Sequence, residues 1–247
     1  MYVGVCVVAL GLTLGACDSG GFPVAHRDSV SPDSGLHGGG LHDGDFRVGD
    51  LVMGDADTVV LDGVSGRISV SADTATHTAS GVFRGSDGKG LRVRTRDAGH
   101  GAVAVECADD AGLAVPCAGD LSLRLPARTG LRLRQTSGET DLSGIGGPLE
   151  VTAASDRLTA VALHSASASL HVTSGSADVG FSGAPGALSV QATSASMTVR
   201  LPGGSTGYAV TSAVTSADVS VQVPRDDAAA HRVSLQVVSS SLALLPA

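Results

Sequence analysis

Two carboxylates, Asp178 and Asp218, each stand two residues after a serine, at the same place in a repeated pattern. With Ser196 on the copy between them, they would lie roughly 9–10 Å apart if copies stack at about 4.8 Å per strand. That is near the spacing at which an acid and a base flank a glycosidic bond with room for water. Sugar-cleaving sites present aromatic platforms, however, and the body of this chain offers only Phe83, Phe181 and Tyr208, with no tryptophan. His77, His100, His164, His171 and His231 are scattered and read as surface residues, so no catalytic constellation, cofactor or metal is expected. Cys107 and Cys117 flank Asp109-Asp110-Ala111-Gly112 without a CxxC motif or the further ligands that zinc needs. In an exported chain they are expected to form a disulfide, contributing roughly 2–3 kcal/mol for so short a loop.

The elements that carry these residues come from one motif: apolar-x-apolar, three spacers, serine, two spacers, apolar-x-apolar. Copies begin at Leu131, Leu149, Leu170, Leu188, Val210 and Val233, with serines Ser137, Ser155, Ser176, Ser194, Ser216 and Ser239. A further copy lies upstream at Val59, Leu61, Ser65, Ile68 and Val70. Among the six C-terminal copies, only Thr140 and Ser212 occupy apolar slots with polar side chains. Alternate residues of a strand face one side, so Leu131 and Leu133 point inward while Arg132 and Arg134 point to water. The alternation changes parity at each serine, which marks a corner, because a straight strand would turn its apolar side outward there. Short repeats with two strands each predict a stacked architecture. The expected fold is all-β, a single-domain right-handed parallel β-solenoid of about 20-residue repeats. The alternative is an antiparallel β-sandwich in which the corners are hairpin turns.

Upstream, the chain begins with the apolar run MYVGVCVVALGLTLGAC, too short to span a bilayer as a helix. Its end, Leu14-Gly15-Ala16-Cys17, resembles the lipobox of bacterial lipoproteins, although no Lys or Arg precedes the run. The resemblance implies that residues 1–16 are a signal peptide and that Cys17 carries lipid, a lasting anchor when two or three acyl chains are attached. Residues 17–57 are acidic and glycine-rich, with only Arg27 and Arg47 as cations, and read as a flexible tether reaching roughly 35 Å. Within the tether, His37-Gly38-Gly39-Gly40 matches an esterase oxyanion motif, but the nucleophile elbow is missing. His37, His42, Asp43 and Asp45 have ligand chemistry without a rigid second shell to orient them. The body, 58–247, is the β-strand-repeat domain.

Arginines alternate with apolar residues at Arg92, Arg94, Arg96, Arg124, Arg128, Arg132 and Arg134. This reads as a solvated strand face, the alternative being an anion-binding strip. The chain carries a net charge of −8, and no aromatics interleave with the arginines, so no nucleic-acid partner is expected.

The runs LSLRLPARTGLRLRQTSGETDLSGIGGPLEVTAASDRLTAVALHSASASLHVTSGSADVGF and LPGGSTGYAVTSAVTSADVSVQVP resemble the bacterial "putative adhesin" family of β-strand-repeat domains. Where that family favours Ser-Gly at the corner, this chain has Ser-Ala or Ser-Ser at Ser194, Ser216 and Ser239. The resemblance covers residues 120–245 well and 58–120 loosely. It implies a β-solenoid and carries over no functional residue. The expected function is a lipoprotein on the extracytoplasmic face of the cell membrane. It would display a rigid repeat module for adhesion, or for envelope-stress-related scaffolding, toward an envelope protein or polymer. The competing readings are an enzyme acting on envelope polysaccharide and a purely structural spacer.

Overall fold

The computed structural model describes residues 48–85, 92–109 and 111–247, in which every regular element is a strand. Seven strands precede the C-terminal repeats: β1 (Val48–Gly54), β2 (Thr58–Asp73), β3 (Ala79–Gly85), β4 (Arg92–Gly99), β5 (Ala102–Ala108), β6 (Ala114–Val115) and β7 (Cys117–Pro126). The next two copies are single long strands, β8 (Gly130–Ser143) and β9 (Leu149–Leu163). The last four copies split at the serine. They give β10 (Ser167–Thr173) with β11 (Ser176–Phe181), β12 (Ala187–Thr193) with β13 (Ser196–Leu201), β14 (Ala209–Thr215) with β15 (Asp218–Val221), and β16 (Arg232–Val238) with β17 (Ser241–Pro246). Together they form a 17-stranded mixed sheet that is not closed.

The alternation read from the sequence is present strand by strand. In β8, Leu131, Leu133 and Gln135 are buried, and beyond the corner Thr140 and Leu142 are buried instead. The two halves of each copy thus turn their apolar sides into one core, where each fully buried Leu or Val side chain stabilises by roughly 1.5–3 kcal/mol. The backbone makes the corner in two ways, except in β9, which changes parity at Ser155 with no positive-φ residue beside it. In β2 and β8 the glycine after the serine takes positive φ, Gly66 at 109° and Gly138 at 136°. In the last four copies the serine itself is left-handed: Ser174, Ser194, Ser216 and Ser239 have φ between 50° and 56°. In β8 and the last four copies a single positive-φ residue reverses the strand's parity, whereas β2 also carries Gly63 at 74°, where its buried positions pass from Leu61 to Val64.

Copies pair with copies in parallel. β2 pairs with β8, β8 with β9, and β9 with β10 through its first half and β11 through its second. β10 and β11 then pair with β12 and β13, which pair with β16 and β17, which pair with β14 and β15. Among the described residues, antiparallel pairing is confined to strands upstream of the C-terminal repeats, where β3 pairs with β1 and β7, and β5 with β4 and β6.

Three readings of the sequence are corrected by this arrangement. The third copy begins at Ala168 rather than Leu170, because Leu149 faces Ala168 and Leu170 faces Val151. Its corner residue is accordingly Ser174, not Ser176. The small side chain of Ala168 had hidden that first apolar slot. Secondly, the last two copies exchange places: the final copy, β16 and β17, lies between β12–β13 and β14–β15. The connectors show the exchange, since 202–208 must pass a rung and 222–231 must return to it, whereas 164–166 and 182–186 join adjacent rungs. Tyr208, wholly buried in the first of these, donates its hydroxyl to the carbonyl of Pro202 at 2.8 Å. Thirdly, β1 lies within the stretch read as tether, so the folded body extends upstream at least to Val48 rather than starting at 58.

Before β2 there is one more, incomplete rung. β5 pairs in parallel with the first half of β2 and β7 with its second half. Between β5 and β7, where other copies have a corner, the chain makes an excursion closed by the Cys107–Cys117 disulfide, with Cα atoms 5.2 Å apart. Both cysteines are buried and belong to the core.

Candidate binding surface

The outward positions of the last four rungs are dominated by short hydroxyl side chains in register. On the first halves, Ser169, Ser189, Ser234 and Thr211 stand on successive strands. On the second halves the column is Ser176, Ser196, Ser241 and Asp218, and the hydroxyl of Ser241 donates to that of Ser196 at 3.2 Å. Strand pairing spaces these groups at about 4.8 Å. The first-half column lines a shallow groove of about 550 Å³ that Arg232 and Asp227 also border. A smaller groove of about 360 Å³ lies on the second halves of the last three rungs, beside Asp218. The terminal rung has a further property. β14 and β15 each pair on one side only among the described residues, with β16 and β17. Its inward positions are correspondingly open, and Val214 is 45% exposed where its counterparts Val172 and Val237 are at 0%.

The carboxylates and arginines singled out from sequence do not converge. Because of the shifted third copy, Asp178 faces Thr198, and Asp218 faces Ser241. They lie in different columns and three strand spacings apart, roughly 14 Å, well beyond the 9–10 Å expected from an unshifted register. Asp178 instead accepts a bond from Arg200. Glu139 neighbours Arg157 on one side of the ladder and forms its ion pair with Arg67 on the other, at 2.5 Å. Four of the seven arginines in the strip are in ion pairs. Arg94 and Arg96 both pair with Glu106, Arg132 pairs with Glu150 at 2.9 Å, and Arg134 lies 3.8 Å from Asp62. The hydrogen bond and charge of Arg96 hold the Glu106 carboxyl below its ordinary range. These pairs are solvent-exposed and screened, so each contributes little to stability.

His77, His100 and His164 are exposed, and His171 is half-buried on β10. His231 is half-buried, its Nδ1 2.9 Å from the carbonyl of Pro185 and its ring tilted on that of Tyr208. Among the described residues no three His, Cys, Asp or Glu side chains are grouped to hold a metal. Cys17, residues His37 to Gly40, and the His37, His42, Asp43 and Asp45 set lie outside the described residues.

A buried polar cluster was not singled out from sequence. Gln135, Thr140 and Asp156 meet inside the corner between β8 and β9, each at most 4% exposed. Its one signal was Thr140 in an apolar slot.

No family model and no curated protein matches the sequence. Among solved structures, the fold is similar to a crystal structure described as a "putative cell adhesion protein" from Clostridium sporogenes ATCC 15579. The match covers 82% of this chain and 100% of that one, with a TM-score of 0.52 and 10% identity. The likeness is one of fold.

Proposed function

We propose that this chain is an envelope lipoprotein whose β-solenoid body is a non-catalytic binding module of the adhesion type. The parallel ladders between copies support the solenoid over a sandwich, in which strands of one copy would pair with each other. The hydroxyl-lined groove along Ser169, Ser189, Ser234 and Thr211 carries the binding reading. It is a regular array of donors and acceptors on a backbone held by pairing, suited to a polar polymer or an extended protein surface. The description of the Clostridium sporogenes structure as an adhesion protein agrees with it.

The groove is tested by filling it. The full chain is expected to co-sediment with purified cell-wall polymer or to retain a component of an envelope extract. Ser189→Arg with Ser234→Arg should lower that retention at least tenfold without changing the melting temperature. Equal retention by the variant, or none by the parent, would reject the groove, and new reducing ends appearing in the polymer would favour the enzyme instead. Membrane attachment rests on Leu14-Gly15-Ala16-Cys17. Cys17→Ser should release the protein from membranes or block its processing, and mass spectrometry showing an unmodified Cys17 in the native protein would refute the anchor.

A further inference from the structure

The buried cluster at the β8–β9 corner has only one consistent set of hydrogen positions. Gln135 places its Nε2 2.9 Å from the carbonyl of Gly66 and 3.1 Å from that of Ser137. Both neighbours are acceptors, so that atom is the amide nitrogen and the other, Oε1, faces Thr140. Oε1 can only accept, and the Thr140 hydroxyl therefore spends its single proton on Gln135. Thr140 Oγ1 also lies 2.8 Å from Asp156 Oδ2. With its proton committed, Oγ1 can only accept there, and the proton in that contact must come from the carboxyl. Asp156 Oδ1 is buried with no hydrogen bond of normal geometry, and the only backbone donor beside the carboxyl among the described residues is the Arg157 N–H. A neutral carbonyl oxygen tolerates such a site far better than a carboxylate.

We propose that Asp156 is held as a neutral carboxylic acid that donates to Thr140, making this corner a latch that loosens when the proton leaves. Ionisation would leave the single Thr140 proton to serve two acceptors, Gln135 Oε1 and Asp156 Oδ2, so one of the two contacts loses its hydrogen bond while a charge is buried. The charged groups around it reinforce this. Glu139 and Asp141 on β8 are acidic, Arg67 on β2 is engaged by Glu139, and Arg157 follows on Asp156's own strand. The turn from Thr173 to Ser176, which packs Gly175 against the Asp156 backbone, carries no charge. Burial first, with the charges of Glu139 and Asp141 behind it, pushes the Asp156 carboxyl above its ordinary value of 3.8 against the opposing hydrogen bonds of Thr140 and the Arg157 N–H. A group so shifted binds more protons folded than unfolded between the two values. Its stabilisation is complete below about pH 4 and is lost as pH rises through the folded value.

Asp156→Asn carries an amide donor in place of the acid proton and cannot ionise. The full chain and this variant are to be unfolded in denaturant from pH 4 to pH 9. The variant's advantage in the folding equilibrium should grow about tenfold per pH unit above the ordinary carboxyl range until the folded value is reached, then stay level. An advantage independent of pH, or one that moves toward the parent as pH rises, would overturn the proposal. Should the variant fail to fold, the carboxyl carbon shift of Asp156 in the parent decides by itself. A titration midpoint above the ordinary carboxyl range supports the latch, and one at or below that range rejects it.

Discussion

Leu235→Ala is expected to cost about 2–5 kcal/mol, the range for truncating a buried leucine, while Ser212→Asp on the neighbouring rung should cost under about 0.5 kcal/mol. The two residues occupy the same column and face each other across the ladder. They differ in what lies beyond them. Leu235 has Val190 on its other side and is 1% exposed, whereas Ser212 is exposed in the terminal rung. If the copies stacked in the order of the sequence, residue 212 would be interior and residue 235 terminal, and the costs would reverse. Denaturant titration of the two variants therefore measures the exchange of the last two copies directly.

Gly138→Ala should be the most damaging small substitution in the corner, at about 3 kcal/mol or more. A Cβ on Gly138 would lie 2.0 Å from the carbonyl oxygen of Gly66 and 2.5 Å from Gln135 Nε2. The neighbouring rung cannot yield, since a Cβ on Gly66 would itself lie 2.3 Å from the carbonyl of Gly119. The backbone of three adjacent rungs is in contact there. Overpacking adds about 1–3 kcal/mol, and a side chain at φ 136° adds about 1–3 kcal/mol of backbone strain. Gly204→Ala is the control. Gly204 also has positive φ, 79°, but open space around it, so its alanine variant should lose only about 1–2 kcal/mol. Equal thermal shifts for the two variants would show that φ alone, not the close approach, sets the cost.

The amino-acid sequence by itself determined the strand content, the inward and outward faces, the corner in every copy but the third and the pairing of Cys107 with Cys117. Each of these follows from local spacing: period-two alternation, a change of parity at a serine, two thiols ten residues apart. It also marked its own exceptions. Ser212 sits in an apolar slot because its rung ends the ladder, and the more apolar final copy, with Leu235 and Leu244, takes the place covered on both sides. Thr140 does so because it belongs to a buried hydrogen-bonded cluster. Neither cause was legible, since a polar residue in an apolar slot does not say whether it is exposed or paired. The register of the third copy was missed for a similar reason: Ala168 weighs little in an apolar pattern but fills its slot in the ladder. Only the tertiary structure decided which copies are neighbours, because parallel copies of one motif present nearly identical edges to one another. Their order is set by connector length and by which inner faces most need cover. That order in turn separates Asp178 from Asp218, lines up Ser189 with Ser234 along the groove, and encloses Asp156 beside Thr140.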